Sequence, residues 1–174
     1  QWSRGLGDVY KRQELTELAS TLQSVNTITL SNGKIIGDNT DVYGFEQSLI
    51  DLNFNGLNKT AYILGAGGVV SSVVIALNKL GVKNIFISNR TKNKAEALAK
   101  EYNLVLSDWG KVIDFDIIIN CTSIGLKKDD CLGLDFSNVK GKIFYDIIYK
   151  PKTKFLIDAE GLGNKIIDGK MMFL

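Results

Sequence analysis

Apolar positions repeat along this chain with two different periods, and the change between them divides it. In residues 14–22, Leu15, Leu18 and Leu22 recur at i, i+3 and i+7, which predicts the end of a helix. Residues 25–30 and 34–37 then form two β-prone runs around Ser31-Asn32-Gly33, and an Asn-Gly centre between such runs predicts a hairpin with a type I′ turn. Val42, Phe45, Leu49 and Leu52 make the next helical face. Asp41 opens it, in the position a structural cap would also take. Residues 53–58, with Gly56, end that helix. From Thr60 onward strand and helix alternate. An apolar run over 60–64 meets a glycine turn, after which Val70, Val73, Val74, Leu77 and Leu80 form a helix face closed by Gly81. A short strand over 84–88 precedes a helix carrying Ala95, Leu98, Ala99 and Tyr102. Further strands are predicted at 104–106, 116–120, 142–146 and 165–167, with a helix over 155–159 and another beginning at the end. Six strands joined by helical crossovers predict an α/β fold, a doubly wound parallel sheet in the order 3-2-1-4-5-6.

The turn Gly65-Ala66-Gly67-Gly68-Val69 is the first candidate for chemistry. Glycine tolerates positive φ and lets a ligand approach the backbone, and the helix that follows aims its unpaired N–H groups and positive dipole end at the turn. Pyrophosphate is the usual guest of that geometry. The third position of the G-x-G-x-x-G/A pattern is Val70, so the match is partial, and glycines that only permit tight packing would read the same way. The tip of the second strand of this sheet adds a second signal. Residues 88–94 there read Ser-Asn-Arg-Thr-Lys-Asn-Lys, without the carboxylate that would accept the adenosine ribose hydroxyls and repel a 2′-phosphate. Arg90 can stack on adenine and fork onto phosphate, and Asn89, Thr91, Lys92, Asn93 and Lys94 complete the cofactor-binding candidates at this tip. Cations at a helix start oppose the helix dipole, which makes a bound anion a better account than a solvated helix entrance. The pattern favours NADP over NAD, and it weighs against S-adenosylmethionine, whose ribose also calls for an acid here.

Composition narrows the rest. The chain has 174 residues, 45% of them hydrophobic, with a net charge of +2 and lysines scattered along its length, which gives no case for nucleic acid or membrane partners. No apolar run has the length of a membrane span, and a cytoplasmic protein is the simplest expectation. Two cysteines read as reduced thiols. There is no histidine, so His-based metal sites and histidine acid/base chemistry are excluded, and no metal site is expected. No Tyr-x-x-x-Lys occurs either. Residues 1–13 lack apolar periodicity and resemble translated adapter sequence.

Taken together, these motifs resemble the shikimate dehydrogenase family, NADP-dependent enzymes that reduce 3-dehydroshikimate to shikimate on the way to chorismate and the aromatic amino acids. The resemblance runs from about residue 14 to the end. Val25-Asn26-Thr27 resembles the family's V-N-T, and Gly37-Asp38-Asn39-Thr40-Asp41 with Gly44-Phe45 resembles its G-x-N-T-D-x-x-G-F. Asn120-Cys121-Thr122-Ser123-Ile124-Gly125, Tyr145-Asp146-Ile147-Ile148-Tyr149-Lys150-Pro151 and Asp168-Gly169 with Met172 resemble three further family elements. The resemblance implies that Asn26, Asp41 and Tyr149 bind substrate and that Asp41 forms a catalytic pair with a lysine. It also implies that Thr122, Ile147 and Gly169 lie beside the nicotinamide. Four regions follow from it: a non-native stretch over 1–13, a remnant of an α/β substrate-binding domain over 14–40, a linking helix and loop over 41–59, and a Rossmann-like NADP-binding domain over 60–174. The family's Ser-x-Ser motif and catalytic lysine belong to an N-terminal domain, and no lysine here takes that role by motif. The expected behaviour is NADP binding with poor turnover. The expected partner is a small molecule, shikimate or 3-dehydroshikimate, and a homodimer is compatible with the resemblance. The alternatives are a quinate/shikimate dehydrogenase and a dinucleotide-binding module without catalysis, belonging to a regulator or a fused chain.

Overall fold

The computed structural model describes residues 13–127 and 130–173. The chain divides into two compact units between Val42 and Tyr43. Among the described residues, no helix is long and apolar enough to cross a membrane.

The first unit contains a three-stranded sheet of β1 (Gln13–Leu15), β2 (Thr27–Ser31) and β3 (Lys34–Asp38), with α1 (Glu17–Leu22) between β1 and β2. Its order is β1-β3-β2, with β1 parallel and β2 antiparallel to β3. The predicted hairpin forms: Asn32 and Gly33 both take positive φ, at 49° and 73°, as a type I′ turn requires. The single helix expected over residues 14–22 is corrected. Gln13, Glu14 and Leu15 pair with Ile35, Ile36 and Gly37, and the helix begins only after Thr16, whose Oγ1 accepts the Ala19 N–H at 3.2 Å. Leu15 stands on the strand, largely exposed, and Ala19 is the buried residue of α1. The stretch expected to be non-native lies outside the described residues except for Gln13, which opens β1.

Helix α2 (Asp41–Ile50) runs across the division, and its Phe45 and Leu49 are fully buried. Leu52 falls in the turn beyond it. The second unit is then built on β4 (Thr60–Leu64), α3 (Val70–Lys79), β5 (Asn84–Ser88), α4 (Lys92–Tyr102), β6 (Val105–Leu106), β7 (Ile117–Asn120), β8 (Ile143–Asp146), α5 (Lys154–Gly161) and β9 (Lys165–Ile167). The strands form one parallel sheet ordered β6-β5-β4-β7-β8-β9, which is the expected 3-2-1-4-5-6. The central strands β4 and β7 read as continuous apolar runs because both their faces are covered; residues 61–64 and 117–119 have no exposed surface.

Helical crossovers were expected throughout, and two connections differ. Among the described residues, 107–116 and 121–142 contain no helix. Apolar side chains on these segments cover the sheet directly: Trp109, Val112, Ile113, Leu132, Phe136 and Val139 pack with Tyr62, Phe115, Ile118, Phe144 and Phe155. Phe136 meets Phe144 and Phe155 edge-on, with ring centroids 5.3 and 5.8 Å apart, so aromatic contact does the work of a helix face here.

Candidate functional site

Strand order reverses at β4, whose neighbours β5 and β7 lead the chain to opposite sides. A crevice opens beyond the carboxyl ends of these strands, where open α/β sheets bind ligands. The cleft there has a volume of about 750 Å3. Its floor is the glycine turn. Gly65 takes φ +109°, and a Cβ on it would fall 2.7 Å from the Cys121 carbonyl oxygen, so no other residue fits without moving backbone. The Gly65 N–H donates to Ser88 O at 2.8 Å and the Cys121 N–H to Leu64 O at 2.7 Å, which ties the turn to β5 on one side and to the loop after β7 on the other. Gly67 and Gly68 are different: nothing crowds a Cβ at Gly68, and the nearest atom at Gly67 is 3.5 Å away. Their backbone faces open space. Helix α3 begins without a side-chain cap or an acidic residue in its first turn, leaving its N–H groups and dipole directed at the turn. Val70, in the third pattern position, is fully buried.

Of the predicted cofactor residues, Gly65, Ala66, Gly67, Gly68, Val69, Asn89, Arg90, Thr91, Lys94, Thr122 and Ile147 line this cleft, and so does the predicted substrate residue Tyr149. Asn89 Nδ2 donates to Thr91 O at 2.8 Å, folding the strand tip into the start of α4. Lys92, Asn93 and Gly169 do not line it. Lys92, at the start of α4, is turned along the helix toward Glu96, 4.0 Å away. Gly169 stands behind the wall: a Cβ there would collide with the Ile147 carbonyl oxygen, so this glycine lets two backbones touch. Among the described residues, the lining holds three cations, Arg90, Lys94 and Lys150, and no carboxylate. Among the described residues, neither Arg90 nor Lys94 is engaged in an ion pair.

The remaining predicted residues, Asn26 and Asp41, belong to the first unit, where they form a local cluster. Asn26 Nδ2 donates to Asp41 Oδ1 at 2.8 Å, while Asn26 Oδ1 accepts the Thr40 N–H at 3.0 Å and the Thr27 hydroxyl at 2.9 Å. Asn39 Oδ1 accepts the Asp41 N–H at 3.1 Å, so Asn39 serves the start of α2 and the Asp41 carboxylate is turned to Asn26. Burial raises the Asp41 carboxyl above its ordinary value, and the Asn26 hydrogen bond partly offsets this.

Sequence reasoning missed Trp109 and Leu126 in the lining, and it gave no role to the buried polar residues behind it. Asn120 and Asp146 are fully buried and close the otherwise apolar strands β7 and β8; Thr153 caps α5. The available signal was a polar residue ending each of two apolar runs.

Residues 48–128 match the family described as Shikimate / quinate 5-dehydrogenase. The chain is 51% identical over 164 residues to the shikimate dehydrogenase (NADP(+)) of Pelagibacter ubique, covering 92% of this chain and 62% of that protein. The crystal structure of shikimate dehydrogenase from Aquifex aeolicus superposes with a TM-score of 0.84 at 39% identity, over 92% of this chain and 60% of that one. Quinate dehydrogenase from Corynebacterium glutamicum, solved with NAD, gives 0.81 at 29% identity, over 92% and 62%. The chain thus spans about three-fifths of the length of the relatives it matches.

Proposed function

We propose that this chain is a member of the shikimate/quinate 5-dehydrogenase family along the part of those proteins that it spans, and that its second unit binds NADP(H) for the reversible reduction of 3-dehydroshikimate to shikimate. One observation carries the choice of cofactor: the glycine turn and a cationic strand tip without a carboxylate line the same cleft. Backbone N–H groups around Gly67 and Gly68, with the start of α3, would hold the pyrophosphate. Arg90, Thr91 and Lys94 would hold the adenosine 2′-phosphate, and an acid at this tip would repel it. A charge-assisted contact of this kind contributes about 1.5–3 kcal/mol. Thr122 and Ile147 would face the nicotinamide, which supplies or accepts the hydride when bound, and Tyr149 would face the substrate.

In the first unit, Asn26 and Asp41 would orient substrate hydroxyls. A half-buried carboxylate already paired with an amide donor is set in direction and accepts from a hydroxyl or an ammonium group. The quinate reading with NAD is disfavoured by the acid-free tip. Titration of the purified chain with NADPH, followed by nicotinamide fluorescence, tests the binding proposal. A saturable change supports it, and a flat titration contradicts it.

A further inference from the structure

Two loops leave adjacent strands and form one wall of the cleft: Thr122, Ser123 and Ile124 follow β7, and Ile147, Ile148 and Tyr149 follow β8. A single buried carboxylate holds both. Asp146 ends β8 and lies directly opposite Asn120, which ends β7. Both of its oxygens accept from Asn120 Nδ2, each at 3.1 Å; Oδ1 also accepts the Ile148 N–H at 3.0 Å, and Oδ2 the Thr153 hydroxyl at 2.6 Å. The bond from Ile148 bends the chain immediately after β8. The bond from Thr153 draws the start of α5 against the strand end, where the same Oγ1 accepts the Leu156 N–H at 3.4 Å. Asn120 extends the network into the other loop. Its Nδ2 donates to Ile124 O at 3.2 Å, and its Oδ1 accepts the Thr122 N–H and hydroxyl at 3.1 and 2.7 Å.

None of Asn120, Asp146 and Thr153 lines the cleft. Stability alone gives little reason for a carboxylate in this position, because a buried charge costs desolvation that well-packed apolar residues avoid. Burial does raise the Asp146 carboxyl above its ordinary value despite the Thr153, Ile148 and Asn120 hydrogen bonds. What the carboxylate provides is geometry. It can accept from three directions at once, and these donors fix two loops relative to each other at the side of the cleft remote from the strand tip bearing Arg90.

We infer that Asp146 is a positioning residue: through Asn120 and Thr153 it sets the wall of the cleft that meets the nicotinamide half of the dinucleotide, and it leaves the adenosine half untouched. This rests on the dinucleotide reading above. In Asp146→Asn, one acceptor becomes a donor facing donors, and the wall must rearrange.

The test compares two ligands that share the adenosine half. NADPH engages both walls, and adenosine 2′,5′-bisphosphate engages only the turn and the Arg90 tip. Calorimetric titration of the unaltered chain should show binding of both. Asp146→Asn should weaken NADPH by about tenfold or more and leave the bisphosphate within about twofold. Equal weakening of both ligands, or of neither, overturns the inference. If the unaltered chain binds neither ligand, the dinucleotide reading falls and the inference falls with it. Should Asp146→Asn not fold, Thr153→Val and Thr153→Ser decide the matter, because only the serine keeps the hydroxyl. Selective loss of NADPH affinity in the valine variant with recovery in the serine variant supports the positioning role, and identical behaviour of the two overturns it.

Discussion

The two sides of the cleft are built on opposite plans. On the side of β4 and β5, backbone faces open space at Gly67 and Gly68, α3 starts without a cap, and Arg90 and Lys94 project without an ion pair among the described residues. On the side of β7 and β8, a buried network of Asn120, Asp146 and Thr153 satisfies its own donors and acceptors, and Gly169 backs the wall against Ile147. The first side leaves its hydrogen-bonding capacity open, and the second uses it to hold a shape. Substitutions should therefore separate: on the open side they cost binding, and on the closed side they cost stability or selectively distort one half of the cleft.

The largest effect expected is on the closed side. Asp146→Ala strands the Thr153 hydroxyl, the Ile148 N–H and the Asn120 amide, and at about 1–3 kcal/mol per buried unsatisfied group the chain should lose roughly 3 kcal/mol or more, read from the urea midpoint. The open side has one exception that sharpens the contrast. Gly65→Ala combines an unfavourable φ with a contact to backbone and should cost about 1–3 kcal/mol, while Gly68→Ala should be near neutral in the same measurement. Arg90→Ala should leave stability within about 0.5 kcal/mol and weaken NADPH by about 10- to 100-fold, seen in paired melting and titration experiments. A large stability loss in Arg90→Ala would break the comparison.

The smallest effect is a slope. Burial raises the Asp146 carboxyl, so between the ordinary aspartate value of 3.8 and the raised one the folded chain keeps a proton that the unfolded chain has released. This group's contribution to stability is present below the ordinary value and is lost as pH rises through the raised one. Asp146→Asn should remove that fall, visible as the difference between the two proteins' melting temperatures across the acid range.

How legible these features were depends on how local their causes are. The bounds of β4 and β5, the Asn32-Gly33 hairpin and the strand order all follow from runs of a few residues and from the rule for crossovers, and they were readable. The strand at Gln13–Leu15 was not, because three residues become a strand only through pairing with β3, twenty-two positions on. The helix-free crossovers were also hidden. In both, apolar residues spaced irregularly pack onto the aromatic core, and periodicity has no signal for that. At the cleft, the glycine turn and the Arg90 tip announce themselves by composition. The Asn120–Asp146 pair joins residues 26 apart, and its meaning appears only once β7 lies beside β8.

The most direct test of the account is the ratio of NADPH to NADH affinity in the unaltered chain and in Arg90→Ala. The account requires NADPH to bind more tightly by about tenfold or more, with the preference collapsing in the variant as NADPH alone weakens. Equal affinities in the unaltered chain, or a preference that survives loss of Arg90, would contradict a cleft organised around the 2′-phosphate.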